Sequence, residues 1–227
     1  MIRSVLFSIS FWPLFVSYLI VMYPIACYLP PKKVWSTVYR PLTRLLLFCL
    51  KHIVGIKYEI KNYEKLPQGP FIIGCNHQST WETFIFSVLF DELAIVIKKE
   101  LLKTPIAGLY FRKLGCIPVD RTSPIVAIKT LLKYGKTANQ NGKSILIFPN
   151  GTRASSNDDV EYKSGIFALY KTLEIPVIPV KVDSGRCWPR QSFKKRPGTI
   201  NLNFRKIIPI GASKKEFFSK FEVEMVD

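Results

Sequence analysis

The sequence predicts an α/β layered domain behind an N-terminal, membrane-associated helical segment, and two observations carry that expectation. Runs of strand character alternate with runs of helical character along residues 55–227, and such alternation implies strands and helices packed in layers. Ahead of them, the chain from Ser4 to Pro31 holds no charged residue and is rich in Phe, Leu, Ile, Val, Tyr and Trp. With 227 residues, 48% of them hydrophobic, there is material for one sizeable domain and too little for two ordinary ones.

The uncharged run is long enough to cross a bilayer, which takes roughly twenty apolar residues. Pro13 and Pro24 would kink or interrupt such a helix, which leaves a re-entrant or interfacial segment open beside a span. Trp12, Tyr18, Tyr23 and Tyr28 suit an interfacial aromatic belt. A cleaved signal is the competing reading, but only Arg3 marks a basic leader and no clean Ala-x-Ala site follows, so a retained anchor is favoured. Lys32, Lys33, Arg40, Arg44 and Lys51 crowd the far side of the run, and the positive-inside tendency then keeps the rest of the chain in the cytoplasm.

Residues 41–54 read as a short amphipathic helix with Arg44, Lys51 and His52 on its polar side, and Gly55 punctuates it. We therefore divide the chain into a membrane-anchoring segment, 1–54, and a catalytic domain, 55–227. Ile56, Tyr58 and Ile60 alternate with Lys57, Glu59 and Lys61 as a half-buried strand. After the turn Leu66–Pro70, Phe71–Cys75 is a short apolar strand, Thr80–Phe90 a helix and Leu93–Ile97 a further strand. Ser123 and Pro124 start a helix reaching about Ala138, which Asn141-Gly142 ends. Ser144–Phe148 and Val177–Val182 read as strands on either side of a helix over Lys163–Leu173, and Ile200, Leu202 and Phe204 alternate in a last strand.

The charge is strongly positive, 33 Lys and Arg against 16 Asp and Glu for a net +17, and speaks of partners more than of fold. Nucleic acid, an anionic membrane or an acidic substrate would answer it. A long apolar N-terminus and the lack of a recognition-helix or aromatic-platform motif argue against nucleic acid. Basic clusters at Lys98, Lys99, Lys103, Arg112 and Lys113, and again at Arg186, Arg190, Lys194, Lys195 and Arg196, suit anionic headgroups or other acidic partners. Cys27, Cys49, Cys75, Cys116 and Cys187 are odd in number and scattered, against a disulfide framework or structural zinc. With only His52 and His77 in the chain, a metal site is not expected.

His77 stands out by position. Asn76-His77-Gln78-Ser79-Thr80-Trp81-Glu82 runs from a strand end into a helix start, where α/β folds hold functional groups. Imidazole takes a proton near neutral pH, and does so better when a carboxylate holds its ring, a part Glu82 can play. Ser79-Thr80-Trp81-Glu82 is equally a capping box, so catalysis and capping both remain open for Glu82. In Phe148-Pro149-Asn150-Gly151-Thr152-Arg153, Gly151 admits close backbone approach, Thr152 offers a hydroxyl and Arg153 a fork that fits a phosphate. Gly115–Arg121 likewise ends an apolar run in an arginine, with Asp120 read as pairing with Arg121 or a neighbouring loop.

These segments resemble the ordered motifs of the glycerolipid acyltransferase family. The family's patterns are Asn-His-x-x-x-x-Asp, a glycine followed by Ile-Asp-Arg, Phe-Pro-Glu-Gly-Thr-Arg, and Val-x-Pro-Val, the last matched here by Ile175–Val180. All four occur in order across roughly residues 50 to 210. The resemblance implies a mixed central sheet with flanking helices. It also implies a reaction without cofactor or metal, in which an acyl group passes from acyl-CoA or acyl-carrier protein to the hydroxyl of lysophosphatidic acid, giving phosphatidic acid beside membrane phospholipids. On that basis His77 is the general base and Glu82 orients it. Arg153, with Asn150, Gly151 and Thr152, holds the acceptor's phosphate, and Arg121 assists.

Two positions depart from the pattern. Glu82 replaces the commoner Asp, one methylene shorter, and Asn150 replaces a Glu, which removes a charge beside the expected phosphate site and bears on which acceptor is used. A lyso-ornithine lipid, another lysophospholipid, or a relative that binds lipid without turnover are the alternatives.

Overall fold

Pro13 and Pro24 do not break the first helix: α1 runs uninterrupted over Ile2–Tyr28, about 40 Å at 1.5 Å per residue. The computed structural model describes residues 1–151, 161–190 and 192–226. One side of α1 lies along the domain for its whole length. Ser4 meets the backbone of Lys195, Phe7 sets its ring edge-on to Trp188, and Phe15 does the same to Phe84. Further along, the Leu19 carbonyl accepts the Tyr110 hydroxyl at 2.8 Å and the Cys27 carbonyl accepts the Lys113 ammonium at 2.9 Å. The other side, including Leu6, Ile9, Val16, Ile20 and Val21, is exposed.

The next helix starts ten residues before the sequence places it. α2 (Pro31–Lys33), a π-helical stretch (Val34–Tyr39), α3 (Arg40–Cys49) and a second π-helical stretch (Leu50–Val54) form one continuous rod. Pro41 hid this, because a proline inside a helix removes an N–H donor and leaves a carbonyl without its partner. Here the Tyr18 hydroxyl of α1 answers the carbonyls of Thr37 and Val38, at 3.4 and 3.2 Å, and the wide π-turn absorbs the ring. Gly55, at φ +87°, ends the rod and returns its N–H to Leu50.

Among the described residues seven strands form one mixed sheet. They are β1 (Ile56–Lys61), β2 (Ile72–Cys75), β3 (Ala94–Lys98), β4 (Ile117–Val119), β5 (Ile145–Ile147), β6 (Val177–Val182) and β7 (Gly198–Phe204), in the order β1-β7-β6-β2-β5-β3-β4. β2 to β6 are mutually parallel; β7 runs antiparallel to β6 and pairs parallel with β1 at the edge. The five parallel strands therefore end on one side of the sheet, which is where such folds bind ligands.

Alternate residues divide two cores. Ile73, Cys75, Leu146, Ile178 and Val180 face α1, the rod and α4 (Trp81–Leu89), with α5 (Ala107–Lys113) on the same side. Ile72, Ile145, Ile147 and Val177 face α6 (Pro124–Gln140), α7 (Gly165–Leu173) and α8 (Lys214–Met225). Gly74 sits where helices press closest: a Cβ there would lie 2.6 Å from Ile166 and 2.7 Å from Phe221. α5, β4 and α8 are absent from the sequence reading. α8 is announced by a complete capping box, Ser213 with Glu216, and closes the second core with Phe217 and Phe221.

Candidate active site

β2 ends at Cys75, and the residues after it are held before α4 begins. Asn76 imitates a strand residue: its amide donates to the Val182 carbonyl and accepts the Val182 N–H, both at 2.8 Å. Gln78 accepts the Gly185 N–H at 3.1 Å. These two ties fix the turn that carries His77 to the end of β6.

Glu82 stands in the first turn of α4 with no exposed surface. A buried carboxylate costs several kcal/mol unless its oxygens are satisfied, and here they are well supplied. Oε1 accepts the N–H groups of Gln78 and Ser79 at 3.1 and 3.0 Å and also the Ser184 hydroxyl, while Oε2 accepts the Ser79 N–H at 3.0 Å. Oε2 also lies 3.6 Å from Nδ1 of His77, an ion-pair distance slightly beyond a hydrogen bond. Capping and imidazole contact are thus combined in one carboxylate. The capping box is modified, since the Ser79 hydroxyl accepts the N–H of Trp81, two residues on.

The His77 ring stacks on Phe148 at 4.1 Å, and both line a cavity of about 330 Å³ at the strand ends. Lys98, Arg121 and Arg190 bring cations to its wall, which holds no carboxylate among the described residues. Arg121 reaches it from the end of β4 and donates to the Gly151 carbonyl; burial pushes its guanidinium below the ordinary arginine value. Asp120 turns away from Arg121 and pairs with Lys99, accepting also the Thr122 N–H and hydroxyl at 3.0 and 2.7 Å. The Lys99 ammonium, then Thr122, lower its carboxyl to about 2.

Gly151 adopts φ +68° beside the cavity, and a Cβ there would meet the Lys163 side chain at 2.8 Å. Asn150 is buried, 8% exposed, does not line the cavity, and its Oδ1 has no hydrogen-bond partner among the described residues. Thr152 and Arg153, both expected at the phosphate, lie outside the described residues. His77, Glu82, Arg121 and Gly151 are brought together. Ser184 and the stacking of Phe148 join the site only in the structure: Phe148 opens the Phe148–Arg153 motif, whereas nothing in a Ser-Gly-Arg turn announces a contact with Glu82.

An imidazole-and-carboxylate pair opens on a cationic cavity at the ends of the parallel strands, an arrangement suited to proton transfer beside an anion. The acyltransferase family model matches residues 57–183, more than half of the chain, and the protein belongs to that family. It is 36% identical to 1-acyl-sn-glycerol-3-phosphate acyltransferase of Pseudomonas aeruginosa, over 78% of this chain and 69% of that protein. Identity to the mouse 1-acyl-sn-glycerol-3-phosphate acyltransferase alpha is 30%, over 63% of this chain. The matched part spans about half of the mouse protein's length, 51%. The fold matches the crystal structure of the 1-acyl-sn-glycerophosphate acyltransferase PlsC from Thermotoga maritima, with a TM-score of 0.73 at 19% identity, covering 98% of this chain and 92% of that one.

Proposed function

We propose that the protein transfers an acyl group from acyl-CoA or acyl-carrier protein to the free hydroxyl of lysophosphatidic acid, forming phosphatidic acid at a membrane surface. The observation that carries this reading is the cavity shared by His77, Lys98, Arg121 and Arg190: a base beside three cations suits a hydroxyl attached to a phosphate. The names of the relatives point to the same acceptor.

In this mechanism Nδ1 of His77 faces Glu82 and Nε2 takes the acceptor's hydroxyl proton as the oxygen attacks the thioester carbonyl. The tetrahedral oxyanion collapses, the C–S bond breaks, and His77 returns the proton to the leaving thiolate. The products are an ester and a free thiol. Glu82 balances the imidazolium and fixes its ring. Lys98, Arg121 and Arg190, with Gly151, Thr152 and Arg153, hold the phosphate, while Asn150 is buried and outside the cavity lining. Base catalysis of this kind supplies roughly 10²–10⁴ in rate, and positioning supplies much of the rest.

Residues 1–54 anchor the enzyme, and residues 55–227 carry the chemistry. Because α1 lies against the domain from Ser4 to Cys27, it rests in the membrane interface with its exposed apolar side in lipid, the domain following it there. The basic residues after α1 favour the cytoplasmic face for the domain. The test is incubation of purified protein with labelled acyl-CoA or acyl-carrier protein and a panel of lysolipids. Phosphatidic acid as the main product supports the reading; acylation only of acceptors without a terminal phosphate overturns it.

A further inference from the structure

Lys195 belongs to a basic cluster in sequence, yet it is only 6% exposed. Its ammonium lies 4.9 Å from the ring centre of Phe7, 4.8 Å from that of Trp188 and 5.7 Å from that of Phe193. An ammonium has three donors, and among the described residues this one meets a single acceptor, the Phe193 carbonyl at 3.3 Å. Aromatic faces offset part of the desolvation of a cation but accept no strong hydrogen bond. Burial lowers its pKa from the ordinary lysine value, in keeping with a charge lacking a counter-ion. A buried charge is normally paired.

The same lysine lines a cavity of about 340 Å³ between α1 and residues 188–195, which lies within the range of small-ligand sites, roughly 300–1,000 Å³. Its walls also hold Ser8, Thr80 and Ser192 and the indoles of Trp12 and Trp188, and among the described residues they hold no carboxylate. It shares no lining residue with the cavity of His77. Ser8 and Trp12 belong to α1, the helix whose other side is exposed and apolar, so the cavity adjoins the segment read above as the membrane anchor. A cation and hydroxyls set between tryptophans at that level match a phosphate carried by an amphiphile.

We infer that the cavity between α1 and residues 188–195 is a second lipid site, separate from the catalytic cavity, in which Lys195 binds the phosphate of an anionic phospholipid headgroup. The ligand supplies the missing counter-ion, and the tryptophans take the glycerol and the first methylenes. Thr80 lies three residues from His77, so an occupied site also braces the turn that carries the base.

Thermal unfolding of the detergent-purified full chain with dioctanoyl phosphatidylglycerol tests this. The lipid is expected to raise the Tm of the wild type and of Lys194→Gln, which loses the same charge from an exposed neighbour, and to leave Lys195→Met unmoved. Equal shifts in wild type and Lys195→Met, or no shift in the wild type, overturn the site. Glycerol 3-phosphate and inorganic phosphate are run beside the lipid; if either alone reproduces the Lys195-dependent shift, a membrane lipid is overturned as the source of the phosphate. Should Lys195→Met fail to fold, Ser8→Leu fills the cavity from the α1 wall and is expected to abolish the shift with Lys195 intact.

Discussion

The Ser184 hydroxyl donates to Oε1 of the buried Glu82 carboxylate, from the turn that follows β6 to the first turn of α4. Glu82 therefore serves two masters: its backbone and hydroxyl donors hold it in place, and its second oxygen faces the imidazole. Removing the Ser184 donor leaves Oε1 short of a buried partner and loosens the carboxylate that faces His77. Ser184→Ala is expected to lower kcat several-fold with KM little changed, and Ser184→Thr to restore it. A merely structural serine would lower Tm and leave kcat where it was.

Charge and hydrogen bonding at Glu82 separate by substitution. Glu82→Gln keeps an acceptor oxygen for the backbone and loses the charge, so kcat falls by at least about 10² while Tm changes little. Glu82→Ala also strands the N–H groups of Gln78 and Ser79 and the Ser184 hydroxyl, each costing about 1–3 kcal/mol when buried and unsatisfied. Its Tm falls together with its activity. Paired melting curves and initial rates for the two variants check this.

Acid stability depends on Asp120. Its carboxyl drops from 3.8 to about 2 because Lys99 and Thr122 bind the ionised form. A lowered folded-state pKa contributes stability above the unfolded value, and that contribution disappears as pH falls through the folded value. Asp120→Asn is therefore less stable than wild type at pH 5, and the difference closes between pH 4 and pH 2. Urea midpoints at a series of pH values in one detergent read it out.

Membrane contact by α1 gives a separate expectation. Ile9 and Val16 are 68% and 51% exposed, so replacing both by Glu removes little packing from the domain. The double variant is expected to wash from vesicles at high salt, where cationic attraction is screened, while the wild type stays bound. Flotation assays distinguish them.

Much of this arrangement was legible in the sequence where one local signal sufficed. The run Val177–Val182, apolar but for Lys181, marks a strand buried on both sides, and the alternation over residues 198–204 marks β7. His77 and Glu82 were legible because their spacing lies within one strand-to-helix turn. The rod over residues 31–54 was half hidden because Pro41 conflicts with a helix interior until Tyr18, far away in sequence, answers the freed carbonyls. Ser184 and the Lys195 cage were not legible at all, since each exists only where separate elements meet. α8 is a different case: the Ser213 and Glu216 capping box marks its start in the sequence itself.

The most direct test of the central claim compares wild type with His77→Ala in transfer of a labelled acyl group onto lysophosphatidic acid by purified membranes holding equal protein. If His77 is the base, phosphatidic acid forms with the wild type, and the rate falls by roughly 10²–10⁴ in the variant at unchanged Tm. Turnover by His77→Ala at near the wild-type rate would contradict the account.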